Sequence, residues 1–202
     1  MTGYWDGPGV TKTFTHPVDF GWLTPPARIL DYGCGYGRVT ALAREHGFDD
    51  VVGVDSSAGL IARARREHPG ATFRLLSDPP HLPDADASFD AVLLIAVLTC
   101  VPTDEGQREL IAELRRVLRP GGQLYVSDLL LQADERNVAR YQAGGHGPYG
   151  VFELDGGAVL RHHRADWFDE LLSDFTVTAK RTVDLTTMNA NHATGIQLLA
   201  VR

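Results

Sequence analysis

The stretch Asp31-Tyr-Gly-Cys-Gly-Tyr-Gly37 constrains this chain more than any other. It follows the apolar run "ARIL" (27–30) and precedes "RVTALAREHG", whose apolar residues recur at helical spacing. Glycines at 33, 35 and 37 mark a turn in which the backbone either takes conformations closed to larger residues or is approached closely from outside. A strand that passes through such a turn straight into a helix opens a βαβ unit. Such a unit requires parallel strands joined by crossover helices, so the remaining sequence must supply both.

It does so with a regular rhythm. Strands are expected at 27–32, 50–55, 71–76, 89–98 and 123–131, and helices at 37–47, 56–69 and 103–122. The run "FDAVLLIAVL" (89–98) is apolar without alternation, as a strand covered on both faces should be. A serine cap opens the second helix, and Pro-Gly-Gly ends the third. After residue 131 the rhythm breaks. A helix is expected over 133–145, and a hairpin over 149–163 that turns at Asp155-Gly156-Gly157. A helix at 164–175 and strands at 176–185 and 195–202 complete the chain, which reads as a single domain over 1–202.

Composition narrows the partners. The net charge of −7 disfavours nucleic acid, since a surface that neutralises phosphates is usually basic. The cluster Arg63, Arg65 and Arg66 reads as the solvated face of a helix. No apolar run is long enough to cross a bilayer, and the N-terminus lacks a signal-peptide pattern, so a cytoplasmic protein without membrane contact is expected. Cys34 and Cys100 have no metal-ligand spacing, and no metal site is expected.

A dinucleotide fingerprint needs a third small residue after the glycines, at position 38 or 40, where Arg38 and Thr40 stand. The acid followed by three alternating glycines instead resembles the first motif of the class I S-adenosylmethionine (SAM)-dependent methyltransferases, D/E-x-G-x-G-x-G. The likeness continues through Asp55, "LLSDPPHLPDADASFD", "AVLLIAVLTCVP" and "LRRVLRPGGQLYVSDLL", and so covers residues 27–131. It implies an α/β, Rossmann-like, seven-stranded mixed sheet with the last strand antiparallel and helices on both faces. It also implies SAM as cofactor, with S-adenosylhomocysteine (SAH) as product. On that likeness Gly33, Cys34, Gly35 and Gly37 form the cofactor turn, and Asp31 anchors the ammonium end through water. Asp55, with Ser56, accepts the ribose hydroxyls. Asp78 binds the adenine amino group, flanked by Leu76 or Ser77, while Ile95 and Trp5 complete the cofactor set. "DPPH" (78–81) is similar to the D-P-P-Y signature of base-amine methylation. It follows the third strand rather than the fourth, and it has His81 in place of an aromatic ring, so that reading is rejected.

Methyl transfer from a sulfonium needs alignment first, and a base only when the nucleophile arrives protonated. No catalytic residue is therefore obligatory; the candidates are Asp128, His162 and His16. The N-terminal segment 1–24 carries Tyr4, Trp5, Phe14 and His16 and is expected to fold over the cofactor as a lid. The insertion 132–163 is expected to recognise a small-molecule acceptor through Arg140, Tyr141 and Tyr149, with Thr99 at the exit of the fourth strand. Arg136, His146, Glu153, Arg161 and His163 lie in the same insertion. On a strand His162 and His163 face opposite sides, so at most one serves the site and the other faces solvent. The loop 188–195, with Asn191 and His192, reads either as a further acceptor contact or simply as a turn of the chain. A monomer or homodimer fits this picture, and the alternatives are a SAM-binding module without catalysis or methylation of a macromolecule.

Overall fold

The computed structural model describes residues 2–13, 16–143 and 147–202, so Phe14 and His146 lie outside the described residues. The chain opens with a short helix α1 (Thr2–Trp5) and a 3-10 turn (Pro8–Thr11). Then come β1 (Ile29–Tyr32), α2 (Arg38–Glu45), β2 (Val51–Asp55), α3 (Ala58–Glu67), β3 (Thr72–Leu75) and β4 (Phe89–Ile95). The core continues through α4 (Asp104–Val117) and β5 (Leu118–Leu129). The insertion contributes α5 (Glu135–Ala143), β6 (Val151–Glu153) and β7 (Val159–Arg161). A short α6 (Trp167–Leu171) leads to the long pair β8 (Thr176–Thr186) and β9 (His192–Val201).

The seven-stranded sheet has the order β3-β2-β1-β4-β5-β9-β8, and β9 runs antiparallel to both its neighbours. Alternating side chains of the central strands feed two cores, as the twofold period of a strand requires. Leu30, Val92, Leu94 and Val126 pack with Leu110 and Leu114 of α4 and Phe168 of α6. Ile29, Ala91, Leu93 and Tyr125 pack with Val39 and Ala43 of α2 on the other face. Ser57 caps α3 by accepting the Leu60 N–H at 3.0 Å, and Thr103 caps α4 through Gly106. Among the described residues no helix is long and apolar enough to cross a membrane.

Several expected boundaries move. The third core helix ends at Val117 rather than 122, because Leu118 is already extended and pairs with Phe89. Pro120 enforces this by disfavouring helical backbone just before it. β4 stops at Ile95, where Ala96 takes φ +56 and turns the chain into the 3-10 segment Leu98–Cys100. The helix expected at 164–175 shrinks to five residues, with turns bringing Leu172 and Phe175 into the core. β9 begins at His192, paired with Thr186, so His192 belongs to a strand rather than to a turn.

Arg63 corrects the reading of a solvated basic face. Its Nη1 donates to the carbonyls of Val10 and Lys12 at 2.8 and 2.9 Å, and its guanidinium covers the ring of Tyr36. Asp6 of the same N-terminal segment accepts from Ser57 Oγ and from the Gly59 N–H, at 2.7 and 2.9 Å. The segment is thus fastened across the start of α3 by charge-assisted hydrogen bonds, the stronger kind.

Candidate functional site

The strand order reverses between β1 and β4, and the carboxyl ends of the strands at such a point form a crevice. A cavity of about 480 Å³ opens there. The glycine turn supplies Gly33, Cys34 and Gly35, the end of β2 supplies Asp55 and Ser56, and Leu76, Pro79 and Pro80 follow β3. Ile95, Ala96 and Val97 close it from β4, and Trp5 reaches in from the N-terminal segment.

The turn fits close approach by a ligand. Gly35 sits at φ +55, and a Cβ there would meet no protein atom within 4 Å, so it would project into open space. Asp55 accepts the Gly35 N–H through Oδ2 at 2.9 Å and the Ser57 N–H through Oδ1 at 2.8 Å. Burial pushes its carboxyl above the ordinary range. Asp31 is 1% exposed, accepts from Thr40 Oγ1 at 2.6 Å, and is pushed up to about 6, chiefly by burial. Acids and the rings of Trp5, Tyr32 and Tyr36 thus line one cavity, which suits a ligand carrying ammonium and sulfonium charges.

Other expected cofactor contacts fall elsewhere. Asp78 is 84% exposed at its side chain, faces His81 at 3.4 Å, and lines no part of the cavity; nor does Ser77. The apolar Leu76 and the two prolines form that wall instead. Gly37 also stands back, as the N-cap of α2, with a Cβ there blocked by Phe73.

A second cavity, of about 180 Å³, adjoins the first, and Trp5, Ala96 and Cys100 belong to the walls of both. It brings together Thr99, Arg140, His162 and His16 from the expected set. It adds residues that no local pattern marks, among them Met188 and Asn189 from the turn between β8 and β9. Of the two readings of Asn191 and His192, the structure favours the first, since both are part of this wall.

Three expectations about this side are corrected. Asp128 is fully buried and lines neither cavity; it accepts from the backbone N–H groups of Thr99 and Leu129, and burial pushes it up to about 7. Tyr141 is buried behind the wall, donating to or accepting from His162 Nδ1 at 2.6 Å, while Tyr149 is exposed and packs edge-on against it. His163 does not face solvent. It lies in the core beside Gln107 Nε2, at 2.8 Å, and Phe168. The two histidines do point to opposite sides.

Burial lowers His16 and His162 to about 4, so both rings are neutral near pH 7. His16 Nδ1 lies 3.3 Å from Ser127 Oγ. Burial likewise raises the Cys100 thiol, which stays protonated at the junction of the cavities. Among the described residues no three His, Cys, Asp or Glu side chains gather as a metal site.

Known proteins give this geometry a context. A family model described as a methyltransferase domain matches residues 30–126. A demethylmenaquinone methyltransferase of Beutenbergia cavernae is 39% identical over 105 residues, 52% of this chain and 41% of the relative. A ribosomal protein L11 methyltransferase of Ralstonia pickettii is 34% identical over 140 residues, 64% of this chain and 43% of the relative. The matches thus span about two fifths of these curated relatives. A solved SAM-dependent methyltransferase from Methanosarcina mazei superposes with a TM-score of 0.85 at 25% identity, covering 94% of this chain and 99% of that one. By its sheet order, its glycine turn and these matches, the chain carries a methyltransferase domain over residues 30–126 and has the fold of the class I S-adenosylmethionine-dependent methyltransferases.

Proposed function

We propose that the chain transfers the methyl group of SAM to an O, N or S atom of a small molecule held in the second cavity. The observation that carries this reading is the shared wall of Trp5, Ala96 and Cys100, where two cavities of unequal size meet. SAM supplies an electrophilic methyl on a good leaving group, so alignment across that wall contributes most of the catalysis.

The chain's residues divide the work. Asp55 and the glycine turn hold the cofactor, while Trp5 excludes water and faces the sulfonium, with its segment serving as the lid. Ala96 fixes where the cavities meet; its left-handed backbone costs about 1–2 kcal/mol and is held by the hydrogen bond from its N–H to the Ser127 carbonyl. His16 and His162 are neutral imidazoles on the acceptor side, and a proton acceptor is needed only for a protonated nucleophile.

Likeness to the ribosomal protein L11 methyltransferase favours a second reading, methylation of a protein. The small second cavity and the net charge of −7 favour a small molecule and no nucleic acid. Cys100→Phe tests the junction, using SAM and the low-mass fraction of a cell extract. SAH binding should persist while methyl transfer is lost; transfer at the wild-type rate would refute the assignment.

A further inference from the structure

The second cavity contrasts with the first in charge. Although the chain carries a net charge of −7, no Asp or Glu is among the described residues of its wall, whereas Arg136 and Arg140 are. Arg140 lies over the Phe152 ring at 4.8 Å and spends one donor on Asn137 Oδ1 at 3.1 Å. It has no carboxylate partner among the described residues. Two acids, Asp134 and Asp155, act on it from a distance without pairing with it, and Asp134 is occupied by the Asn137 side chain at 2.5 Å and faces Arg136 at 3.8 Å. Most of the guanidinium fork therefore remains for a ligand.

His162 adds a donor of defined polarity. The Gln132 N–H donates to Tyr141 Oη at 3.2 Å, so the hydroxyl proton of this buried tyrosine needs an acceptor, and His162 Nδ1 at 2.6 Å is the one in reach. A neutral ring that accepts at Nδ1 carries its proton on Nε2. Nε2 has no partner among the described residues, and it is not a buried unsatisfied atom, so it is open to the cavity its ring lines. Tyr141 is thus a positioning residue that sets the tautomer from behind the wall.

We propose that the second cavity takes its acceptor through a carboxylate, gripped by the Arg140 guanidinium and the His162 Nε2–H, with the nucleophile turned to the junction at Cys100. This rests on reading that cavity as the acceptor's. A planar carboxylate matches the guanidinium fork, and the phenyl face of Phe152 keeps the arginine in place.

The test uses SAH-loaded protein and three phenyl probes, the planar pair benzoate and benzamide and the tetrahedral phenyl phosphate, titrated by calorimetry. Benzoate should bind at least about tenfold more tightly than benzamide, a difference a charge-assisted pair readily supplies. Arg140→Met should abolish that preference with benzamide and SAH affinities unchanged, and Arg140→Lys should restore only part of it. Tyr141→Phe should weaken benzoate alone, because the His162 tautomer is then unfixed. Equal binding of benzoate and benzamide, absence of benzoate binding, or an Arg140→Met protein that keeps the preference would overturn the proposal. Tighter binding of phenyl phosphate would overturn the carboxylate assignment. Benzoate preference without methylation of any small acid supports the anion site while counting against the transfer reading. Turnover of neutral acceptors with no anion preference overturns the anion site alone.

Discussion

Asp55 Oδ2 accepts the backbone N–H of Gly35 at 2.9 Å, so the acid ending β2 braces the glycine turn that follows β1. One carboxylate thereby shapes the wall of the larger cavity, and the proposed function gives it the ribose hydroxyls of the cofactor. Asp55→Ala should cost a charge-assisted hydrogen bond, about 1.5–3 kcal/mol of SAM affinity or roughly ten- to a hundredfold. Calorimetric titration with SAM and SAH measures this directly. Undiminished affinity would remove Asp55 from the cofactor site.

Gly33 and Val97 meet across the same cavity. Gly33 has φ +71, and a Cβ there would overlap Val97 Cγ2. Gly33→Ala should therefore lose stability by about 1–2 kcal/mol for the backbone alone, and more for the clash. Adding Val97→Ala should recover the clash and leave the backbone cost. Chemical denaturation of the two single variants and the double variant reads the coupling; strictly additive effects would contradict the contact.

Arg63 fastens the N-terminal segment through the Val10 and Lys12 carbonyls. Arg63→Ala should loosen residues 2–13 with little change in global unfolding. Hydrogen exchange and limited proteolysis should show faster local opening, and SAH should dissociate faster. An unchanged SAH off-rate with an opened segment would deny it a role as lid.

Buried titratable groups act on stability with opposite signs. His162 is lowered from 6.5 to about 4, so between those values the unfolded chain binds a proton that the native ring refuses. Stability from this group is full above 6.5 and is lost as pH falls toward 4, by up to about 1.4 kcal/mol per pH unit. Asp31, raised from 3.8 to about 6, keeps a proton the unfolded chain releases. Its burial therefore costs stability as pH rises through that window. Urea unfolding from pH 4 to 7 should show the wild type gaining on His162→Phe as pH rises and losing on Asp31→Asn. Parallel curves would contradict the shifts.

Local pattern made the sheet legible. The alternating glycines, Asp55 at the end of β2, and the unbroken apolar run of β4 are each written within a few residues, because each answers to a backbone or burial demand at that point. The caps Ser57 and Thr103 are legible for the same reason. The second cavity is not, since its wall joins His16, Thr99, Arg140, His162 and Asn189 from separate segments. The role of Arg63 has no sequence signature, because its partners are main-chain carbonyls some fifty residues away. The resemblance gives Asp78 the adenine amino group, but the loop after β3 turns its side chain outward, which a motif match does not register.

The most direct test follows the methyl group itself. Purified protein is incubated with SAM labelled on its methyl, together with a size-fractionated extract of the source cells. Label should move into the low-mass fraction, at a rate that Cys100→Phe abolishes. Label retained in high-mass material, or no transfer while SAM still binds, would contradict small-molecule methylation at the junction of the two cavities.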